Sequence, residues 1–428
     1  MALVRAFPDA QWFMGDLGTY HEAVSSLRSS QDALYRDLFG DAQGPFLYPP
    51  FAALVFRELL PLGMGGLKLL MAVSGHLALL ATAYAAWGML GCRRDAGRLG
   101  AALLTAGGAL WLEPVQKTFM WGQVGLLLMA LVLLDCARAD TARWKGVGIG
   151  IAAGFKLTPA LFVLYLLCTR RFRAAGVAVG AFAVTVVVGF LALPGAAWAF
   201  WFRPRAIAGH LNEHVLFADG TNQSLWAAIV RLVGENTLAN TLWYVLAAAC
   251  LGAGMAAAAV AARGGRELLG VVLCATVALL ASPISWSHHW VWCVPACVVL
   301  ADQVLGRRRL RTRLPLLAAY VAVMAVWPVR VDMHGAWDAG LPVAPYGLVW
   351  LAPHQDGLEL HWNAWQALVG DSMLLVNAAA FTAVVAVLLR GRLSGPGPRT
   401  PRVPRPPSRS AHAATAASGR LARRSGAR

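Results

Sequence analysis

The chain has 428 residues, of which 58% are hydrophobic and 14% charged, and its mean hydropathy is +0.57. Soluble domains carry about 25% charged residues, so an ordinary soluble protein is excluded. The net charge of +16 does not indicate a nucleic-acid partner, because residues 390–428 alone hold ten Arg and no acid. Apolar runs of roughly 18 or more residues recur, which predicts an all-α, polytopic integral membrane protein.

The first polar stretch of interest is GDLGTY at residues 15–20, which contains Asp16 and Tyr20. These two residues are four apart and share one face if the segment is helical. A carboxylate here is suited to take a proton from a hydroxyl group. The alternative is an acid that only stabilises a helix N-terminus. Residues 1–20 contain no apolar core, so no cleavable signal peptide is expected.

Basic clusters separate the apolar runs and predict which connections face the cytoplasm, because Lys and Arg concentrate there. They lie at residues 93–98, 138–145, 170–173, 263–266, 307–313 and from 390 onwards. The membrane spans expected between them are about 67–90, 99–112, 122–138, 173–194, 238–262, 267–282, 289–304, 314–330 and 372–390. Residues 51–61 are too short to span and are expected to form a re-entrant or interfacial helix.

The same scheme collects the long polar connections on the outer side of the cell membrane. Residues 1–390 are predicted to form one transmembrane domain, with outer-face loops at 1–50, 195–223 and 331–371. The last loop is rich in Trp and His, including Trp337, as expected for a binding loop or for rings at the membrane interface. The basic, Pro- and Ser-rich tail, residues 391–428, is predicted to be disordered and cytoplasmic.

Residues 146–167 are flanked by basic residues at both ends and contain GFKLTP at 154–159. Pro159 disfavours helix just before itself, which predicts two short helices with Lys156 near their turn. An ammonium group at membrane depth usually has a partner, and a lipid phosphate would be one. The alternative is that Lys156 extends to the nearest interface.

Polar side chains near two further outer turns are candidates for hydrogen bonds to sugar hydroxyls. Glu113 and Gln123 flank a Trp-containing turn, and Asn222 and Gln223 open the next apolar run. Such amides can equally cap a helix.

A second cluster is SPISWSHH at residues 282–289, which ends in His288 and His289 after Trp286. Adjacent residues on a helix point about 100° apart, so a shared metal ion is not expected. One histidine as a phosphate or hydroxyl partner is the preferred interpretation, and an interfacial histidine without a role is the alternative. No phosphate-binding Gly-rich loop is present, so a nucleotide-sugar donor is not expected. No cofactor or metal is predicted.

Several of these pieces resemble glycosyltransferase family 87, the polyprenol-phosphate-mannose-dependent α-mannosyltransferases of actinobacteria. They follow the family's order over about residues 15–300: Asp16-Leu17 with Tyr20, YPPF at 48–51, Gly122-Gln123 with Leu126 to Asp135, GFKLTP, NQSL at 222–225 and SPISWSHH. The sequence departs from the family at the N-terminus. Members have a transmembrane helix before the Asp motif, whereas only 15 residues precede Asp16 here.

The resemblance implies a GT-C-type fold with about ten or more transmembrane helices and re-entrant or interfacial helices. It implies that Asp16 is the catalytic carboxylate, that His289 or His288 is the second active-site group, and that Lys156 lies in the donor-phosphate region. The reaction implied is transfer of mannose, with inversion, from a polyprenyl-phosphate sugar to a glycolipid or glycan acceptor of the cell envelope. Tyr20, Gln123, Glu113, Asn222, Gln223 and Trp286 are the predicted substrate-binding residues.

Three other functions fit parts of the pattern. The same family includes arabinofuranosyltransferases, so arabinose is the rival sugar. A lipid-linked sugar transporter or flippase would share the apolar spans and the cations, although no inverted repeat is visible. A non-catalytic scaffold is the third, and it predicts no effect of Asp16→Asn.

Overall fold

The computed structural model describes residues 13–28, 30–31, 33–40, 44–203, 217–305, 310–332, 338, 340, 343–354 and 356–393. The chain divides into two compact units, Met1–Leu389 and Arg390–Arg428, and every site discussed below belongs to the first. Trp337 and nearly all of the predicted tail lie outside the described residues, as do residues 1–12.

The described part of the chain is mostly helical, as the sequence predicts. Its first half contains α1 (Gly15–Ser26), α2 (Ala33–Arg36), α3 (Pro50–Leu59), α4 (Gly63–Met89), α5 (Ala96–Ala109), α6 (Glu113–Trp121), α7 (Gly125–Cys136), α8 (Val147–Phe155), α9 (Leu161–Cys168), α10 (Phe172–Ala192) and α11 (Pro194–Phe202). Its second half contains α12 (Leu225–Val233), α13 (Thr237–Arg263), α14 (Glu267–Ala281), α15 (Cys293–Leu305), α16 (Leu310–Met324), α17 (Ala364–Gly370) and α18 (Ser372–Leu393). Short 3₁₀ turns lie at Leu60–Leu62, Thr158–Ala160, Ser287–Trp292, Leu348–Leu351 and Leu358–His361.

Four helical stretches of the described chain are long and apolar enough to cross a membrane: Pro50–Met89, Phe172–Ala192, Thr237–Arg263 and Ser372–Gly391. A fifth is reached if the bent pair α6–α7 counts as one span. The predicted ten or more spans are therefore not confirmed. Several predicted spans are shorter helices: α14, for example, has 15 residues, which cover roughly 22 Å of the 30 Å hydrocarbon layer.

Two breaks in the helices shape the region around the candidate site. The chain bends by 119° between α6 and α7. Gly122 lies in this bend with a φ of 68°, and a Cβ atom there would lie 2.8 Å from Leu17 Cβ. Glycine at this position therefore allows both the left-handed turn and the close approach of α1. The second break follows α8, where Lys156 is extended before the turn at Thr158–Ala160, as the Pro159 pattern predicts.

The N-terminal helix α1 packs against α3 and α6 through its buried residues Leu17, Tyr20 and Val24. Its start is tied to the end of α6, because the Met14 backbone N–H donates to the Met120 carbonyl at 2.8 Å. This contact brings the stretch 15–20 next to Gly122-Gln123, although about a hundred residues separate them in sequence.

The predicted span 314–330 is wrong at its C-terminal end. Helix α16 stops at Met324, and β3 (Val326–Val329) pairs antiparallel with β4 (Ala344–Gly347). Pro328 disfavours a helical conformation at Trp327, which accounts for the end of the helix. The predicted loop 331–371 therefore contains β4, two 3₁₀ turns and α17. A second short antiparallel pair joins β1 (Leu38–Phe39) to β2 (Gly44–Pro45).

Candidate active site

Asp16 lies in the first turn of α1, on the same side of the helix as Tyr20. The side-chain amide of Gln123 reaches both residues: Nε2 donates to Asp16 Oδ2 at 2.5 Å and to the Tyr20 hydroxyl at 2.8 Å. Gln123 itself is placed by the bend at Gly122. The predicted shared face of Asp16 and Tyr20 is thus confirmed.

Tyr48 completes this cluster. Its hydroxyl donates to Gln123 Oε1 at 2.8 Å and lies 2.9 Å from the Tyr20 hydroxyl. Tyr48 is buried, and its backbone carbonyl accepts a hydrogen bond from the Tyr35 hydroxyl at 2.7 Å. In the sequence, Tyr48 stands out only as part of the YPPF motif, which predicts no role for it. A tyrosine directly before two prolines, at the start of a buried helix, was the available signal.

The carboxyl group of Asp16 is partly exposed, with protein on most sides. Burial raises the pKa of Asp16 above its usual value, while the Gln123 hydrogen bond and the charge of Lys156 act in the opposite direction. Gln123 donates to Oδ2, and among the described residues no side chain bonds Oδ1. One oxygen is therefore positioned and the other is available.

Lys156 forms the second half of the site. Its Nζ lies 3.0 Å from His289 Nε2 and 5.1 Å from the centre of the Tyr48 ring. Burial lowers the pKa of Lys156 to about 8, and the nearby Asp16 carboxylate partly opposes this. Lys156 thus lies near enough to Asp16 for their charges to interact, and Tyr48 contacts Lys156 with its ring and Gln123, the partner of Asp16, with its hydroxyl.

The two adjacent histidines have different surroundings. The rings of His288 and His289 meet edge to face at 4.6 Å, and only His289 contacts Lys156. His288 is buried, its carbonyl accepts a bond from Thr118 Oγ1 at 3.2 Å, and its Nε2 has no partner among the described residues. Within the same residues, no three His, Cys, Asp or Glu side chains are arranged to hold a metal ion.

Asn222 and Gln223 are buried and bonded to backbone groups. Asn222 Oδ1 accepts from the Ser285 N–H at 2.9 Å, and Asn222 pairs with Trp286 in an isolated β-bridge. Gln223 donates to the Gly370 carbonyl at 2.6 Å and accepts from the Leu374 N–H at 3.0 Å. These bonds hold the 282–289 segment and the start of α18 in place. The hydrogen bonds given above for Asn222 and Gln223 thus hold the backbone and do not involve Asp16. Trp286 joins them through its bridge to Asn222.

Glu113 belongs to a neighbouring buried cluster. Its Oε1 accepts from Trp350 Nε1 at 3.1 Å, and Lys117 Nζ lies 4.0 Å from the centre of the Trp350 ring and 5.3 Å from that of Tyr346. Glu113 is 0% exposed. The cluster fixes the 344–351 segment against the N-terminal part of α6, and the C-terminal end of this helix leads into the bend that carries Gln123.

The site is thus a carboxylate held by an amide, next to an ammonium–imidazole pair, in a helical membrane protein. Comparison with known proteins defines the class. The chain matches the model of glycosyltransferase family 87 over residues 46–283.

Relatives from two bacteria indicate the same class of enzyme. The chain is 35% identical over 348 residues to a polyprenol-phosphate-mannose-dependent α-(1-2)-phosphatidylinositol pentamannoside mannosyltransferase of Mycobacterium tuberculosis, covering 78% of each chain. It is 32% identical to the protein of that name from Mycolicibacterium smegmatis, over 77% of this chain and 80% of the relative. It is 33% identical over 293 residues to an α-(1-2)-phosphatidylinositol mannoside mannosyltransferase of M. tuberculosis, over 66% of this chain and 67% of the relative. No solved structure matches the chain.

The protein belongs to glycosyltransferase family 87 and is a glycosyltransferase, as the motifs predict. Gln123 and Lys156 fall inside the matched region, whereas Asp16 precedes it and His289 follows it. The roles of these site residues are therefore argued below from their geometry.

Proposed function

We propose that the protein transfers mannose from a polyprenyl-phosphate-linked donor to a hydroxyl group of a cell-envelope glycolipid or glycan. The observation that carries the proposal is the position of Asp16 beside the Lys156–His289 pair, with Tyr48 and Gln123 between them. A base and a phosphate-binding cation side by side are what this reaction needs.

Asp16 acts as the general base. Its Oδ2 is held by Gln123, which leaves Oδ1 to accept the proton of the acceptor hydroxyl. The acceptor oxygen then forms a bond to C1 of the sugar as the bond from C1 to the phosphate oxygen breaks. Because the raised pKa of Asp16 makes it a better proton acceptor than an ordinary exposed aspartate, its burial favours this step.

Lys156 holds the polyprenyl phosphate, and His289 orients Lys156. The phosphate leaves with the electron pair of the broken bond, so a cation at this position stabilises charge that develops during the reaction. A phosphate of this kind leaves without a proton donor. One displacement with one base inverts the anomeric centre, from a β-linked donor to an α-linked product, whereas retention would need a second carboxylate as nucleophile.

The sugar and the acceptor are proposed from the relatives. Their names specify polyprenol-phosphate-mannose as donor and phosphatidylinositol mannosides as acceptors. Mannose is favoured over the arabinofuranose alternative because the two relatives that match 78% and 77% of this chain both carry the mannose donor in their names. We place the site on the outer face of the cell membrane, because the basic clusters predict cytoplasmic connections on the other side.

The test uses purified protein in detergent with radiolabelled polyprenyl-phosphate mannose or polyprenyl-phosphate arabinose, each with a phosphatidylinositol mannoside extract. The expected result is label in the acceptor from the mannose donor only, released by an α-mannosidase and not by a β-mannosidase. Transfer from the arabinose donor would show that the sugar is arabinose and not mannose. A β-linked product would overturn inversion, and no transfer from either donor would overturn the donor class.

A further inference from the structure

With the Gln123 amide nitrogen on Asp16, the hydrogen bonds among Tyr20, Tyr48 and Gln123 have only one consistent direction. A glutamine carbonyl oxygen cannot donate, so the single hydroxyl proton of Tyr48 goes to Gln123 Oε1. That proton is then unavailable to Tyr20, so the Tyr20 hydroxyl donates in the 2.9 Å contact with Tyr48. Tyr20 in turn accepts one of the two amide protons of Gln123. The three groups form a closed cycle, which we call the tyrosine–glutamine cycle.

The cycle leaves one proton unassigned, the second proton on Gln123 Nε2. Gln123 Nε2 donates this proton to Asp16 Oδ2, and the two heavy atoms are 2.5 Å apart. If the amide turned over, the two hydroxyl groups could rotate and keep the hydrogen bonds within the cycle. The bond to Asp16 would be lost, because Oε1 would then face the ionised carboxylate. The Asp16 carboxylate therefore selects the amide orientation, and the Tyr48 hydroxyl, as the hydrogen-bond partner of Oε1, holds the amide in place.

The charged and titratable groups around Asp16 also favour an arrangement in which a Gln123 N–H group donates to an ionised carboxylate. From the neighbouring elements these are Lys156, Tyr20 and Tyr48, with His289 beyond Lys156. Both tyrosines stay protonated, because burial raises the pKa of each far above the neutral range. Lys156 and the Gln123 N–H are therefore the two groups that favour the ionised form of Asp16, against the cost of burial.

We propose that the Tyr48 hydroxyl is a positioning group, which fixes the Gln123 amide with its N–H on Asp16 and so keeps the carboxylate oriented and ionised as the base. The catalytic part of this inference rests on the proposed function. The orientation of the Gln123 amide does not depend on that function, and it can be measured without any turnover. Gln123, predicted as a substrate ligand, takes a positioning role in this account.

The variant is Tyr48→Phe, which removes one oxygen and keeps the ring beside Lys156. The matched control is Tyr320→Phe. Tyr320 is equally buried, at 5%, and its hydroxyl bonds the amide oxygen of Asn377 at 2.9 Å, in α18 and outside the cluster. Both variants lose one tyrosine–amide hydrogen bond, and Tyr48→Phe also loses the bond with the Tyr20 hydroxyl. A general effect of removing a buried tyrosine hydroxyl is therefore seen in both.

The first readout is the titration of the Asp16 carboxyl band by infrared difference spectroscopy, with Asp16→Asn subtracted. Loss of an oriented hydrogen bond to a charged group is expected to raise the Asp16 pKa by about one pH unit in Tyr48→Phe. Tyr320→Phe should leave it unchanged. The same Asp16 pKa in Tyr48→Phe and wild type would overturn the proposal, whether or not the protein transfers sugar.

The second readout is steady-state transfer. Tyr48→Phe should lower kcat about tenfold, leave the donor KM within twofold, and move the acidic limb of the pH profile upwards. An effect confined to KM would overturn the positioning role and indicate that Tyr48 binds the polyprenyl-phosphate sugar donor. If wild type transfers no sugar while the infrared shift is present, the proposed function fails and the orientation of Gln123 stands.

Discussion

Lys156 Nζ lies 3.0 Å from His289 Nε2, across 133 positions of sequence. An ammonium group has only protons to offer, so the imidazole must accept through Nε2 and carry its own proton on Nδ1. A protonated His289 would place two cations in contact. The contact therefore requires a neutral imidazole at His289.

The first prediction concerns the charge of Lys156. Lys156→Gln should lower kcat/KM for the polyprenyl-phosphate donor about 10- to 100-fold, through both KM and kcat, because the cation that binds the phosphate and stabilises its developing charge is lost. The measurement is the initial rate against donor concentration. Lys68→Gln, on α4, serves as the control for removal of a lysine charge. A donor KM unchanged in Lys156→Gln would contradict the phosphate-binding role.

The second prediction separates the two histidines. His289→Gln should lower kcat/KM about tenfold or more, since Lys156 loses its acceptor, while His288→Gln should have a smaller effect because His288 does not contact Lys156. Both rates are measured on protein whose thermal unfolding matches wild type. Equal losses, or a larger loss at His288, would show that His289 does not act through Lys156.

The third prediction is a bell-shaped pH dependence of kcat/KM. Asp16 works as a carboxylate, so activity is lost as the pH falls through its raised pKa. Lys156 works as an ammonium, so activity is lost as the pH rises through about 8. Lys156→Arg should move the alkaline limb upwards, because arginine stays protonated. An alkaline limb at the same pH in Lys156→Arg would assign it to another group.

The fourth prediction concerns stability away from the reacting groups. Arg231 forms a buried ion pair with Asp371, and Arg231 also donates to the Asp219 carbonyl at 2.9 Å. Asp371→Asn or Arg231→Met should destabilise the protein by about 3–5 kcal/mol, because each leaves one buried charge without its partner.

Thermal unfolding in detergent measures this effect. Glu58→Gln is the control, since it breaks the more exposed Arg57–Glu58 pair and should change the midpoint little. The double variant Arg231→Met with Asp371→Leu should recover part of the loss. A midpoint as high in the single variants as in Glu58→Gln would contradict the prediction.

The helical architecture was predictable because hydropathy and basic clusters are local properties. The break at Lys156 followed from Pro159, and the shared face of Asp16 and Tyr20 followed from their spacing. The end of α16 at Met324 was missed, although Pro328 carried the signal. The count of ten or more spans is not confirmed, since the length of an apolar run does not show where a helix ends.

The partners within the site were not predictable, because they depend on long-range packing. Gln123 meets Asp16 across 107 positions, and Tyr48 meets Gln123 across 75. In the sequence, Asn222 and Gln123 look alike, because each is a polar residue at the border of an apolar run. Only the fold shows that Asn222 bonds backbone groups around Ser285, whereas Gln123 faces the carboxylate.

The most direct test of the central claim compares Asp16→Asn with Glu22→Gln, which removes another carboxylate from the same helix. Radiolabelled mannose transfer from polyprenyl phosphate is measured for both, on protein with matched unfolding midpoints. Loss of the general base should lower kcat about 10²- to 10⁴-fold in Asp16→Asn, while Glu22→Gln stays near wild type. Transfer by Asp16→Asn within a few-fold of wild type would contradict the assignment of Asp16 as the base.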